Sequence, residues 1–216
     1  MNKPTFMIGE REAIENAIHL LLKNGLQEAE NSQCFWHDAI IANDCQEVSD
    51  IMGCCTVGAT KTVFFLDDCD HWVIKIGRTK EEDHWCAKEV EIYQKACKLN
   101  LQDYFAPTYF FTNAGGWNFY IQAKAYCDDD YVSDYFYSAA STHYDKDDFE
   151  DEDDYYEAVS DAADNMDDEE TIMAVFSSPA LLKFIQDEHL NDFHAGNFGE
   201  LGDDMVLVDY SGYRRM

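Results

Sequence analysis

Apolar positions along the chain change period repeatedly, and each change marks an element. Ile14, Ala17, Ile18, Leu21 and Leu22 recur at three- and four-residue steps, so residues 10–29 read as an amphipathic helix with Gly25 near its end. A second helix is expected over 31–48, with Phe35, Trp36, Ile40 and Ile41 inward. The pattern then shortens to β-branched and aromatic runs at 50–57, 61–66 and 72–76, with Asp67-Asp68-Cys69-Asp70 as the second turn. Helical spacing returns over 81–99 through Trp85, Val90, Ile92, Tyr93 and Ala96. Residues 107–112 and 117–123 flank Asn113-Ala114-Gly115-Gly116 and predict a hairpin. Helical character is expected in 155–166 and in 172–188, the latter interrupted or started near Pro179, and 205–208 reads as a short strand. The order predicts an α+β fold: a small antiparallel sheet of five strands, one helix inserted after the third, then a helical part. The expected boundaries are 1–49 for an N-terminal helical segment, 50–126 for the sheet and its helix, and 127–216 for the remainder.

With 216 residues, 46% of them hydrophobic, the chain can bury the core of one domain or two small lobes. No apolar stretch approaches the ~18 residues of a membrane span. Met1-Asn2-Lys3-Pro4 leads into mixed polar sequence, so a soluble cytoplasmic chain is expected. The eight cysteines contain no C-x-x-C pair, and reduced, small core residues are expected rather than a disulfide framework.

Charge changes the picture more. The net charge is −29, and residues 127–170 hold nineteen Asp/Glu against one lysine, Lys146, a net of −18. Free nucleic acid would be repelled. A basic protein surface would not be, although acidic runs also serve simply as solvated faces. Tyr131, Tyr135, Phe136, Tyr137, Tyr144, Phe149, Tyr155 and Tyr156 interleave these acids and argue against plain disorder. Like-charge repulsion makes a monomer the expected state.

The candidate chemistry sits in three strings. Asp192-Phe193-His194-Ala195-Gly196-Asn197 puts a carboxylate and a carboxamide five positions apart, and Asp209-Tyr210-Ser211-Gly212 adds a second carboxylate after the apolar run 205–208. Val73-Ile74-Lys75 supplies a strand lysine upstream. One acid to orient a hydroxyl, an amide and an acid to hold Mg²⁺, and a lysine for phosphate oxygens form a minimal phosphoryl-transfer set. A competing reading, His189 and His194 as a metal pair, fails on spacing, since a five-residue gap does not share one helical face and no third ligand is evident.

In this order the strings resemble the protein-kinase-like superfamily, and within it the compact serine/threonine kinases of T7-type bacteriophages, over residues 50–212 with an acidic segment inside. The resemblance implies a bilobal protein-kinase-like fold with a reduced helical C-lobe, an acidic insert at about 128–170 and extra N-terminal helices. It makes Lys75 the lysine on the α/β-phosphates and Glu89 its helix partner, with Glu91 as the alternative. Asp192 becomes the base-like aspartate, Asn197 the Mg²⁺-binding amide, and Asp209 the acid of the Asp-Phe-Gly element, with Tyr210 for Phe and Ser211 inserted before Gly212. Gly53 and Gly58 match the first and third glycines of the phosphate loop, where Cys55 replaces the second and crowds the phosphates. Leu190 stands where the family has histidine, and four residues follow Gly212 where the family has an activation segment and peptide-docking helices. ATP and Mg²⁺ are the implied cofactors. The implied activity is a minimal Mg²⁺-dependent serine/threonine protein kinase-like transfer, of phage or mobile-element origin, to host proteins in the host cytoplasm. The alternative is a weak or inactive kinase-fold protein whose acidic, aromatic-rich surface binds and inhibits a basic host protein or mimics nucleic acid. A third reading, transfer to a cationic small molecule as in aminoglycoside phosphotransferases, draws on His194-Ala195-Gly196-Asn197.

Overall fold

Lys75 lies on the central strand of a five-stranded antiparallel sheet. The computed structural model describes residues 3–23, 26, 54–57, 60–149 and 151–212, and the expected helix 31–48 lies outside them. The chain divides into two compact units, Met1–Gln102 with Ala106–Lys124, and Asp103–Phe105 with Ala125–Met216.

In the first unit, α1 (Glu10–Lys23) precedes β1 (Cys54–Val57), β2 (Lys61–Phe65) and β3 (Trp72–Gly77), then α2 (Asp83–Leu99), β4 (Thr108–Ala114) and β5 (Trp117–Ala123). The sheet order is β1-β2-β3-β5-β4, every neighbouring pair antiparallel. All six residues of β3 are buried, as expected for a strand covered on both faces. Register places Val63 and Tyr120 opposite Lys75, and Phe64 and Ile121 opposite Ile74, so alternation gives the lysine a face separate from the apolar pairs. Thr79 and Glu82 form a reciprocal cap just before α2: the Glu82 N–H donates to Thr79 Oγ1 at 3.2 Å and the Thr79 N–H to Glu82 Oε2 at 3.1 Å. Asn100, left-handed at φ 58°, ends that helix. Gly115 and Gly116 (φ 59° and 80°) close the β4–β5 hairpin as a two-residue turn that needs positive φ at both positions.

In the second unit come α3 (Asp129–Ser141), α4 (Glu152–Asp164), α5 (Asp168–Phe176), α6 (Pro179–Glu188) and the hairpin of β6 (Phe198–Leu201) and β7 (Asp204–Leu207). The structure is thus mixed α+β, with six helices and a small antiparallel sheet among the described residues. The acidic segment is largely helical, and part of its charge has a local purpose. Asp128, Asp151 and Asp167 each cap a helix by accepting backbone N–H bonds, and Glu170 completes a capping box with Asp167. Val159, Tyr155 and Ala140 are buried together, with Tyr137, Phe149 and Met166 packed around them. The stretch 172–188 is two helices rather than one, because Ser177 turns left-handed and Ser178 caps a new helix with Pro179 in its first turn.

Among cysteines with described side chains, Cys69, Cys86, Cys97 and Cys127 are free thiols. Cys69 and Cys86 are buried as expected, whereas Cys127 is exposed, a departure from the expected core role. Among the described residues no helix is long and apolar enough to cross a membrane.

Candidate functional site

The first unit builds an ammonium cluster around one carboxylate. Glu89, fully buried on α2, has Oε2 at 2.8 Å from Lys75 Nζ, and its Oε1 accepts from Lys75 at 3.0 Å and from Lys61 Nζ at 2.8 Å. Lys61 is the participant that sequence reasoning missed. It sits opposite Gly77, two positions from Lys75 on the neighbouring strand, so alternation gives both lysines the same face. Lys75 also donates to Gln122 Oε1 at 3.3 Å, and Gln122 Nε2 in turn donates to Thr108 Oγ1 at 2.8 Å. Glu91 takes no part in this cluster. Two helical positions amount to a rotation of about 200°, and its exposed carboxylate pairs with Lys95 at 2.9 Å. Cys86, one turn before Glu89, has its thiol pushed upward by burial and then by the nearby Glu89 charge, so it stays protonated and inert. Burial and the adjacent Asp83 carboxylate likewise raise the Tyr120 phenol, which donates to Asp83 Oδ2 at 3.1 Å.

The second unit gathers the oxygen-bearing residues. β6 and β7 pair Phe198 with Leu207, and the Val208 N–H donates to the Asn197 carbonyl at 2.9 Å. Asn197 and Asp209 therefore flank the open end of one hairpin, although eleven residues lie between them in sequence. The Asn197 Nδ2 donates to the Asp192 carbonyl. With its nitrogen committed to the loop, the amide has Oδ1 to offer a cation. Asp192 is exposed and left-handed at φ 70°, a conformation that Asp tolerates better than most residues. Tyr210 is fully buried, its ring 5.0 Å from that of Phe105. Gly212 (φ 69°) returns to the loop so closely that a Cβ would lie 3.3 Å from Asn191 Oδ1 and 3.4 Å from Asn191 N. Only glycine fits this approach without strain, and the Ser211 Oγ beside it donates to Asp209 Oδ1 at 3.4 Å.

Asp168 is a second participant in the candidate site that sequence reasoning missed. From the first turn of α5 its Oδ1 accepts the Phe193 N–H at 2.9 Å and its Oδ2 the Asp192 N–H at 3.3 Å. One carboxylate thereby holds two consecutive backbone donors where the chain turns left-handed. Nothing in the sequence separates Asp168 from the other acids of its segment. Leu190, just ahead of the Asp192 loop, is buried. His189 is the left-handed cap of α6, and His194 starts the short turn Ala195–Asn197. Gly53 and Gly58, and the side chain of Cys55, lie outside the described residues.

A carboxamide oxygen and a carboxylate on adjacent backbone suit Mg²⁺, a hard cation that binds through one or two such groups and fills its remaining positions with phosphate oxygens and water. Among the described residues no group of three or more His, Cys, Asp or Glu could hold a metal ion by itself. No family model, curated protein or solved structure matches this chain.

Proposed function

We propose that the chain is a minimal Mg²⁺-dependent, protein-kinase-like phosphotransferase of bilobal type, transferring the γ-phosphoryl of ATP to a protein hydroxyl. The observation that carries this reading is the gathering of Asp192, Asn197 and Asp209 by one loop and one hairpin, with a hydrogen bond donated by the Asn197 side-chain amide to the Asp192 carbonyl. The Lys75–Glu89 pair supports it from the first unit. Glu89 restrains the Lys75 ammonium, which neutralises phosphate oxygens. Asp192 orients the acceptor hydroxyl and takes its proton as the new oxygen–phosphorus bond forms, while the bond from the γ-phosphorus to the β–γ bridging oxygen breaks and ADP leaves with that electron pair. Asn197 Oδ1 and the Asp209 carboxylate hold Mg²⁺, which offsets the charge spread over the transferring phosphoryl group. Asp168 keeps the Asp192 loop in register.

Incubation with ATP labelled at the γ-phosphate and a basic acceptor protein tests the proposal. Label should pass to the acceptor or to the chain itself in Mg²⁺, and EDTA should stop the transfer. Absence of Mg²⁺-dependent labelling of any protein, the chain included, would overturn the assignment.

A further inference from the structure

Lys146 shows how this chain handles a cation. Its Nζ lies 4.7 Å from the Tyr156 ring centroid and 5.0 Å from that of Tyr155, and it donates to Tyr156 Oη at 3.0 Å and Glu152 Oε1 at 3.2 Å. Aromatic faces and a carboxylate grip one charge from several sides.

A second surface of the same unit offers the same chemistry. Tyr126 is 66% exposed and forms a two-way backbone bridge with Glu200, which places their side chains on one side of the bridge. Its hydroxyl donates to Asp128 Oδ2 at 3.3 Å. Tyr131, 42% exposed on α3, meets Tyr135 edge to face with ring centroids 5.6 Å apart and hydroxyls 3.3 Å apart. The bond to Tyr135, with the Glu200 charge nearby, pushes the Tyr131 phenol up to about 12, so its ring stays neutral at physiological pH. The exposed Tyr126 and Tyr131 and the half-buried Tyr135, Asp128 and Glu200 are thus linked into one patch. The unit's two described lysines are committed elsewhere, Lys146 as above and Lys183 to Asp187 at 2.9 Å.

We infer that the Tyr126–Asp128–Tyr131–Tyr135–Glu200 patch is a docking surface for an arginine-bearing basic segment of a partner protein. Charge complementarity selects the occupant, because the surrounding stretch 127–170 carries −18 and attracts cationic chain while repelling nucleic acid. Arginine fits better than lysine. Its planar guanidinium stacks on a tyrosine face while forking onto a carboxylate. The inference does not depend on phosphoryl transfer, since it concerns a surface and not the loop of Asp192.

Fluorescence anisotropy of a labelled peptide of arginines spaced by glycines tests it at physiological salt without ATP. The peptide should bind, its lysine counterpart more weakly, and its glutamine counterpart not at all. Tyr126→Ala with Tyr131→Ala should weaken binding about tenfold, the scale of two lost cation–π contacts, and Glu200→Gln should weaken it severalfold. Glu157→Gln with Asp161→Asn, removing exposed acids on α4, should change it less than about twofold. Equal weakening by the α4 pair, or unchanged binding in the tyrosine variant, would overturn the inference. A chain that binds the peptide but fails to label proteins would count against the phosphotransfer reading alone.

Discussion

Replacing Glu89 with glutamine is expected to destabilise the chain by about 3–5 kcal/mol, the range for breaking a buried ion cluster from one side. The size follows from sharing. Two ammoniums, Lys61 and Lys75, lie within 3.0 Å of this fully buried carboxylate, and both lose their common counter-charge at once. Glutamine keeps the shape but turns an N–H₂ donor toward one of the lysines. At about 2–4 °C per kcal/mol for a chain of this size, the melting temperature should fall by about 10 °C. Lys75→Met should be milder, because Glu89 retains Lys61 and a buried methionine costs little desolvation. Thermal unfolding followed by circular dichroism ranks the two. Equal melting temperatures for the Glu89 variant and the parent would show that the cluster contributes nothing to the fold.

The second large effect belongs to Asp192. Asp192→Asn should lower kcat for transfer by about 10²–10⁴-fold, the typical contribution of a positioned base, while the KM for ATP stays near the parental value. Asparagine is the informative substitution because it also accepts a left-handed backbone, so the loop bonds from the Asp192 N–H to Asp168 and from Asn197 to the Asp192 carbonyl remain possible. Asp209→Asn should behave differently. It leaves the metal an amide in place of a carboxylate, so the Mg²⁺ concentration needed for half-maximal rate should rise several-fold. Steady-state kinetics over ATP and Mg²⁺ separate the two patterns. Parental turnover in Asp192→Asn would remove the residue from the chemistry.

The sheet was largely legible because its strands announce themselves locally. Val73-Ile74-Lys75 is β-branched up to the lysine, and Gly115-Gly116 marks a turn that few other residues could make. Glu89 and Glu91 came from the resemblance as alternative partners of Lys75, and in the folded chain Glu89 meets it while Glu91, about 200° around the helix, pairs with Lys95. Lys61 was not legible as a partner, because its position depends on the pairing register of β2 with β3, and register is a property of the folded sheet. β6 was missed for a related reason. Phe198-Gly199-Glu200-Leu201 carries too little alternation and a glycine, and it becomes a strand through pairing with β7. Asp168 was hidden by abundance: one acid among nineteen in 127–170 is chosen only by where α5 begins. The acidic segment offered its aromatics but not its capping pattern, since an aspartate reads alike as solvated surface and as a helix cap.

Isothermal titration of the intact chain with ATP, in Mg²⁺ and in EDTA, asks whether Asn197 and Asp209 hold Mg·ATP as proposed. One molecule should bind per chain in Mg²⁺, binding should be lost in EDTA, and Asp209→Asn should weaken it at least about tenfold, the scale of one charge-assisted contact. Absence of heat in Mg²⁺, or binding that Asp209→Asn leaves unchanged, would contradict the proposal.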